Sequence, residues 1–147
     1  MKTGIRLSFS MFFLLTAFPL LSQQEGVLYI GMSLEDVLSR FGTPTAVYAA
    51  RGEEHWQDDV VFEYPQGDFY IYRDRVWQAS LRSAHGIAVG DPKPAVLLTL
   101  GSNAADHGNY VLYQLPSSPG TAWPLALRVN FSNIGIVSAI FMYRSDF

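Results

Sequence analysis

Apolar residues recur at helical spacing in two stretches and at alternating spacing through most of the rest. Leu34, Val37, Leu38 and Phe41 fall at i, i+3, i+4 and i+7, which predicts a short helix with one apolar stripe. Ser33 stands at its N-cap, and Glu35 and Asp36 occupy the first turn, where the positive end of the helix dipole favours carboxylates. Gly42 suits the left-handed position after the last turn, and Pro44 blocks any continuation. The second stretch runs from Val89 to Gly101. There Asp91 takes the N-cap, Pro92 sits at the first helical position where its missing N–H costs nothing, and Val96, Leu97, Leu100 and Gly101 align with Val37, Leu38, Phe41 and Gly42. In each stretch two glycines stand 11 residues apart, and the copies are offset by 59.

Each predicted helix is followed by strand signals. Residues 45–50, 60–64, 69–73 and 76–82 read as strands, with Pro65-Gln66-Gly67-Asp68 as a turn and with Trp77, Ala79 and Leu81 on one face of the last. After the second helix, 102–108 reads as a loop, and 110–115, 127–131 and 136–143 as strands. Leu127 to Phe131 alternates cleanly, apolar inward and polar outward. The expectation is an α+β fold of two tandem repeats, each a short helix (or helical pair) packed on an antiparallel three- to four-stranded β-meander. The first would cover 23–84 and the second 85–147, with the boundary near Ser83 to Gly86 and a shared interface, because units this small fold poorly alone.

With 49% apolar and 14% aromatic residues, the 147-residue chain can build a core and is not a disordered segment. Residues 1–22 stand apart. Lys2 and Arg6 precede an apolar run from Leu7 to Leu21, broken by Pro19 and followed by polar Ser22-Gln23-Gln24-Glu25, the form of a secretory signal peptide. The run is too short for a spanning helix. Cleavage is expected after Ser22, although Leu20 at the −3 place is not small, and no stable membrane anchor is expected after it. The destination is then the periplasm or the exterior. Without Lys2 and Arg6 the chain carries 8 basic and 13 acidic residues, a poor balance for nucleic acid. The lack of cysteine excludes thiol catalysis and thiolate metal sites.

The pattern Gly-x-(Ser/Asp)-x-x-x-Val-Leu-x-x-(Phe/Leu)-Gly-x-Pro followed by strands resembles the BamE-like (SmpA/OmlA) domain, and its tandem arrangement resembles the β-lactamase inhibitor protein. The resemblance covers residues 30–143 and rests on Gly31, Val37, Leu38, Phe41, Gly42 and Pro44, then on Gly90, Asp91, Val96, Leu97, Leu100 and Gly101. It implies a protein-binding scaffold of the cell envelope rather than an enzyme, and in the inhibitor a continuous concave sheet. Copy two departs from the pattern with Ser102-Asn103 in place of Thr43-Pro44. The lipid-anchor Cys of BamE lipoproteins and the cysteines of the inhibitor family are absent.

Candidate chemistry is sparse. Glu53, Glu54, His55, Asp58 and Asp59 form the densest polar cluster, and a metal-dependent hydrolase using Glu54, His55 and Asp58 is the enzymatic alternative, although the spacing matches no helix-borne metal motif. Asp106-His107 reads as a loop pair, His85 as a linker residue, and Arg73, Arg75 and Arg82 as a charged sheet edge. No cofactor is expected. If Phe69 and Ile71 face the helix, Tyr70 and Tyr72 face away from it, and Trp77 belongs to the core. Tyr70 and Tyr72, with Trp56, Tyr64, Tyr113 and Trp123 at loops or strand ends, are the candidate partner-binding residues, since Tyr and Trp are enriched in interface hot spots. The same rings could instead seal the contact between repeats. The leading expectation is therefore an exported, non-enzymatic module that binds a protein partner, with a purely structural envelope component as a further alternative.

Overall fold

The computed structural model of the chain describes residues 29–52, 58–116 and 123–146. The expected signal peptide lies outside the described residues. In chain order the elements are α1 (Leu34–Phe41), β1 (Ala46–Ala50), β2 (Asp59–Tyr64), β3 (Gly67–Tyr72), β4 (Arg75–Leu81), β5 (Ser83–Ala84), β6 (Ile87–Ala88), α2 (Lys93–Leu100), β7 (Ala105–Asp106), β8 (Tyr110–Leu115), β9 (Leu125–Phe131) and β10 (Val137–Arg144).

The described chain is mostly β. One antiparallel sheet of eight strands runs in the order β1-β2-β3-β4-β10-β9-β8-β7, and β5 and β6 form a separate two-stranded hairpin. This corrects the expected α+β fold of two tandem repeats, each with its own helix on a three- to four-stranded meander. The correction turns on β10, which pairs with β4 and sets Ile140 opposite Leu81 and Met142 opposite Ala79. All four are buried, and one apolar cluster runs from Ile30 and Val37 through to Ile140 and Met142. Joining the two strand edges removes two unpaired ladders and fuses what would be two undersized cores. At the expected boundary, Ala84 and Ile87 of the small hairpin are themselves buried in that cluster, and His85-Gly86 makes its turn with φ 52° and 81°.

The helices are short, and the sheet holds them. In α1 the Ser33 hydroxyl accepts from the Asp36 amide at 3.1 Å while the Asp36 carboxylate accepts from the Ser33 amide at 3.1 Å. The Ser33 hydroxyl, which also donates to the Asp36 carboxylate at 2.7 Å, and then the Ser33 amide hold the Asp36 carboxyl below its usual range. Val37 is fully buried, but Leu38 remains 40% exposed, so the apolar stripe is narrower than its spacing predicts. In α2 the N-cap is Pro92, with no side-chain cap bond. Asp91, expected in that role, instead accepts from the Ala88 amide at 2.7 Å. Both helix approaches are laced to the sheet by main-chain bonds, Gly31 N to Val76 O at 2.7 Å and Gly90 N to Val137 O at 2.9 Å. Tyrosines tie both far ends: Tyr64 Oη donates to Gly42 O at 2.9 Å, and Tyr113 Oη to Gly101 O at 2.8 Å.

Cross-strand partners share a face, so the register fixes which side is covered. Phe69, Ile71, Ala79, Leu81, Ile140, Met142, Leu127 and Val129 lie with Val37 and Val96 in the core, on the helix side. The residues between them point the other way, where no described helix covers the sheet.

Candidate functional site

The uncovered face is ordered in cross-strand rows. Asp68, Ser80, Phe141 and Arg128 are successive partners across β3, β4, β10 and β9, and Tyr70, Gln78, Tyr143 and Ala126 form the adjacent row. A depression of about 490 Å³ lies over the join between the chain halves, lined by Trp77, Gln78, Arg128, Asn130, Phe141, Tyr143 and Arg144. None of these side chains belongs to the buried core, and all seven are half-buried.

Trp77 reaches this face by a register shift. Tyr70 opposes Gln78 while Ile71 opposes Val76, so Trp77 is an extra residue in β4. Val76 takes the core position expected for Trp77, and the Trp77 indole N–H donates to Asp59 Oδ1 at 3.0 Å. Burial pushes the Asp59 carboxyl up, with the Trp77 bond opposing it and Asp58 adding to it. Burial likewise raises the Tyr70 phenol, and the charges of Asp68 and Asp59 raise it further.

Arg128 is held from two sides. Its guanidinium lies 4.1 Å from the Tyr110 ring centroid, and its Nε donates to Asn130 Oδ1 at 2.8 Å. The Tyr110 ring also stacks with His107 at 4.5 Å. Arg144 lies over Trp123 at 4.4 Å and pairs with Asp146 at 2.9 Å. The carboxylates of this face, Asp59, Glu63 and Asp68, belong to β2 and β3 and Arg128 to β9, while Arg73 and Arg75 stand beside Tyr72 on the β3–β4 side. Asp68 and Arg128 thus stand at opposite ends of one row that crosses the β4–β10 join.

Of the six residues expected to bind a partner, Tyr70 and Tyr72 lie on the open face, with Arg73 over the Tyr72 ring at 5.1 Å. Tyr64 and Tyr113 do not. Both are buried on the helix side, where their hydroxyls anchor the helix ends, so loop or strand-end position misled for them. Trp123 packs on the core edge against Gly31, where an added Cβ would lie 2.7 Å from its ring. Trp56 lies outside the described residues, as do Glu53, Glu54 and His55 of the hydrolase alternative. Asp58 is engaged by Arg51 at 2.7 Å and by the Gly52 amide at 3.3 Å. No three His, Asp or Glu side chains come together as a metal site among the described residues. Asp106 is taken by Lys93 at 2.9 Å and the Gly108 amide at 2.8 Å. Arg75 and Arg82 do not guard a sheet edge, because β4 is central. Instead they donate to the carbonyls of Gly31 and Pro65 at 2.9 and 2.8 Å.

Phe141, Tyr143 and Arg128 escaped notice as site residues. The alternation in Leu127 to Phe131 already put Arg128 outward, but only the β4–β10 pairing shows that it shares a row with Asp68.

No family model matches the chain, and no curated protein matches it. Among solved structures, the crystal structure of an extracellular protein containing a SCP domain from Bacillus anthracis str. Ames is similar, with TM-score 0.52 and 11% identity, over 99% of this chain and 50% of that chain. The chain thus spans half the length of that structure, and the likeness is one of fold alone. Among the described residues no helix is long and apolar enough to cross a membrane.

Proposed function

We propose that the chain is an exported, non-enzymatic binding module of the cell envelope whose uncovered sheet face holds a protein partner. One observation carries the reading: Tyr70, Trp77, Phe141 and Tyr143 are gathered half-buried on the one face the helices leave open. Aromatic rings there bury large area at small entropic cost, and flanking Arg and Asp supply orientation. The resemblance to BamE-like and β-lactamase inhibitor proteins at Gly31 to Pro44 and Gly90 to Gly101 supports the same reading. So does the extracellular setting named for the structural neighbour.

Tagged protein carrying Tyr70→Ala and Tyr72→Ala is expected to recover at least about tenfold less partner from envelope extract than the unaltered chain, the loss of one good interface anchor. Leu98→Ala, at a position 88% exposed on α2, is expected to recover the normal amount. Equal recovery by the double variant and the unaltered chain would rule the face out.

A further inference from the structure

We propose that the partner this face fits is a second copy of the same chain, packed face to face about a two-fold axis along the β4–β10 join. The inference rests on the proposed reading of the face as a protein-binding surface, and the register supplies the geometry. In one row the order is Asp68, Ser80, Phe141, Arg128; in the next it is Tyr70, Gln78, Tyr143, Ala126. A half-turn about an axis in the plane of the face, parallel to the strands and midway between β4 and β10, exchanges β3 with β9 and β4 with β10 within each row. Asp68 of one copy then lies over Arg128 of the other, twice per dimer. Phe141 lies over Ser80, and Tyr70 over Ala126, so large side chains meet small ones.

Both charged groups are ready for such a pairing. Arg128 spends its Nε on Asn130 and its plane on Tyr110, while its two terminal nitrogens have no partner among the described residues. Among the described residues the Asp68 carboxylate accepts only the Tyr48 hydroxyl, at 3.3 Å, and forms no ion pair. An aligned packing of two sheets keeps strand directions within about 30° at about 10 Å separation, close enough for an Arg to reach an Asp one strand from the axis. The six longer strands β2, β3, β4, β10, β9 and β8, at about 4.8 Å spacing and about 3.3 Å per residue, make a face of roughly 29 by 20 Å, about 600 Å² in plan and of the order of the roughly 800 Å² per partner of a standard interface. A row with Asp68 at one end and Arg128 at the other is self-complementary under this operation, as an isologous interface requires.

Sedimentation equilibrium on the full chain tests the arrangement through two single variants and their mixture. The unaltered protein is expected to form dimers that weaken as salt rises. Asp68→Arg alone sets guanidinium over guanidinium at both contacts, and Arg128→Asp alone sets carboxylate over carboxylate. Each is expected to weaken self-association at least about tenfold. Mixed in equal amounts, the two variants form heterodimers in which both contacts again carry opposite charges, so association is expected to return to within about threefold of the unaltered protein. Recovery on mixing also demonstrates that each variant is folded. A monomeric unaltered protein at its solubility limit, unweakened single variants, or a mixture that stays monomeric would each overturn the second-copy assignment. A monomeric protein whose Tyr70→Ala/Tyr72→Ala variant still loses an envelope partner would leave the protein-binding reading standing with a different occupant. Loss of neither association would remove both.

Discussion

Replacing Phe69 by Ala is expected to lower the free energy of unfolding by about 3–5 kcal/mol, measured by urea denaturation. Phe69 is wholly buried at the middle of β3. Tyr29, Phe41 and Tyr64 surround it with ring centroids at 5.1, 5.4 and 5.6 Å. These rings come from the segment before α1, from α1 itself and from β2, so the ring of Phe69 is where the helix meets the sheet. Removing it leaves a cavity bounded by rigid aromatics that cannot collapse into the space, which places the loss at the upper end of large-to-small substitutions. An unfolding free energy reduced by less than about 1 kcal/mol would mean that α1 is not seated on this face as described.

Gly67→Ala is expected to cost about 3 kcal/mol or more, from a cause that has nothing to do with cavities. Gly67 starts β3 after the turn at Pro65-Gln66 and has φ 154°, a conformation that side chains rarely adopt. A Cβ there would strike the Ser80 carbonyl of the adjacent strand. The β2–β3 hairpin and the β3–β4 ladder would have to part to admit one methyl group. Thermal unfolding of Gly67→Ala beside Gly42→Ala separates the effects, because nothing lies within 4 Å of a Cβ at Gly42. The Gly42 variant carries the backbone penalty of its φ of 74° alone and is expected to melt well above the Gly67 variant.

What could be read from the chain beforehand was local. The Ser33 N-cap, the stop at Gly42 and the inward set of β9 all follow from patterns within a few residues, and the structure contains each of them. The outward placement of Tyr70 and Tyr72 followed from alternation along a single strand. What could not be read was the joining of strands remote in sequence. Nothing in Val76 to Leu81 or Val137 to Tyr143 marks β4 and β10 as neighbours, because interior strands and edges carry the same apolar alternation. That pairing converts two expected meanders into one sheet and makes β4 central, which leaves Arg75 and Arg82 to bind backbone carbonyls rather than to guard an edge. Trp77 was misplaced because a single extra residue in β4 reverses the direction of a side chain, and alternation cannot foresee it. Tyr64 and Tyr113 looked like surface rings because they end strands. Their hydroxyls are satisfied instead by the glycine carbonyls that close the two helices, a contact between elements rather than along one.

The open face can be probed directly by site-specific photocrosslinking in cells. The benzophenone amino acid is placed at position 143, among the rings over the β4–β10 join, and separately at position 98 on the solvent side of α2. A discrete adduct to a protein from position 143, and none from position 98, is the result expected of a face that holds a partner. Discrete adducts from position 98 with none from position 143 would contradict it.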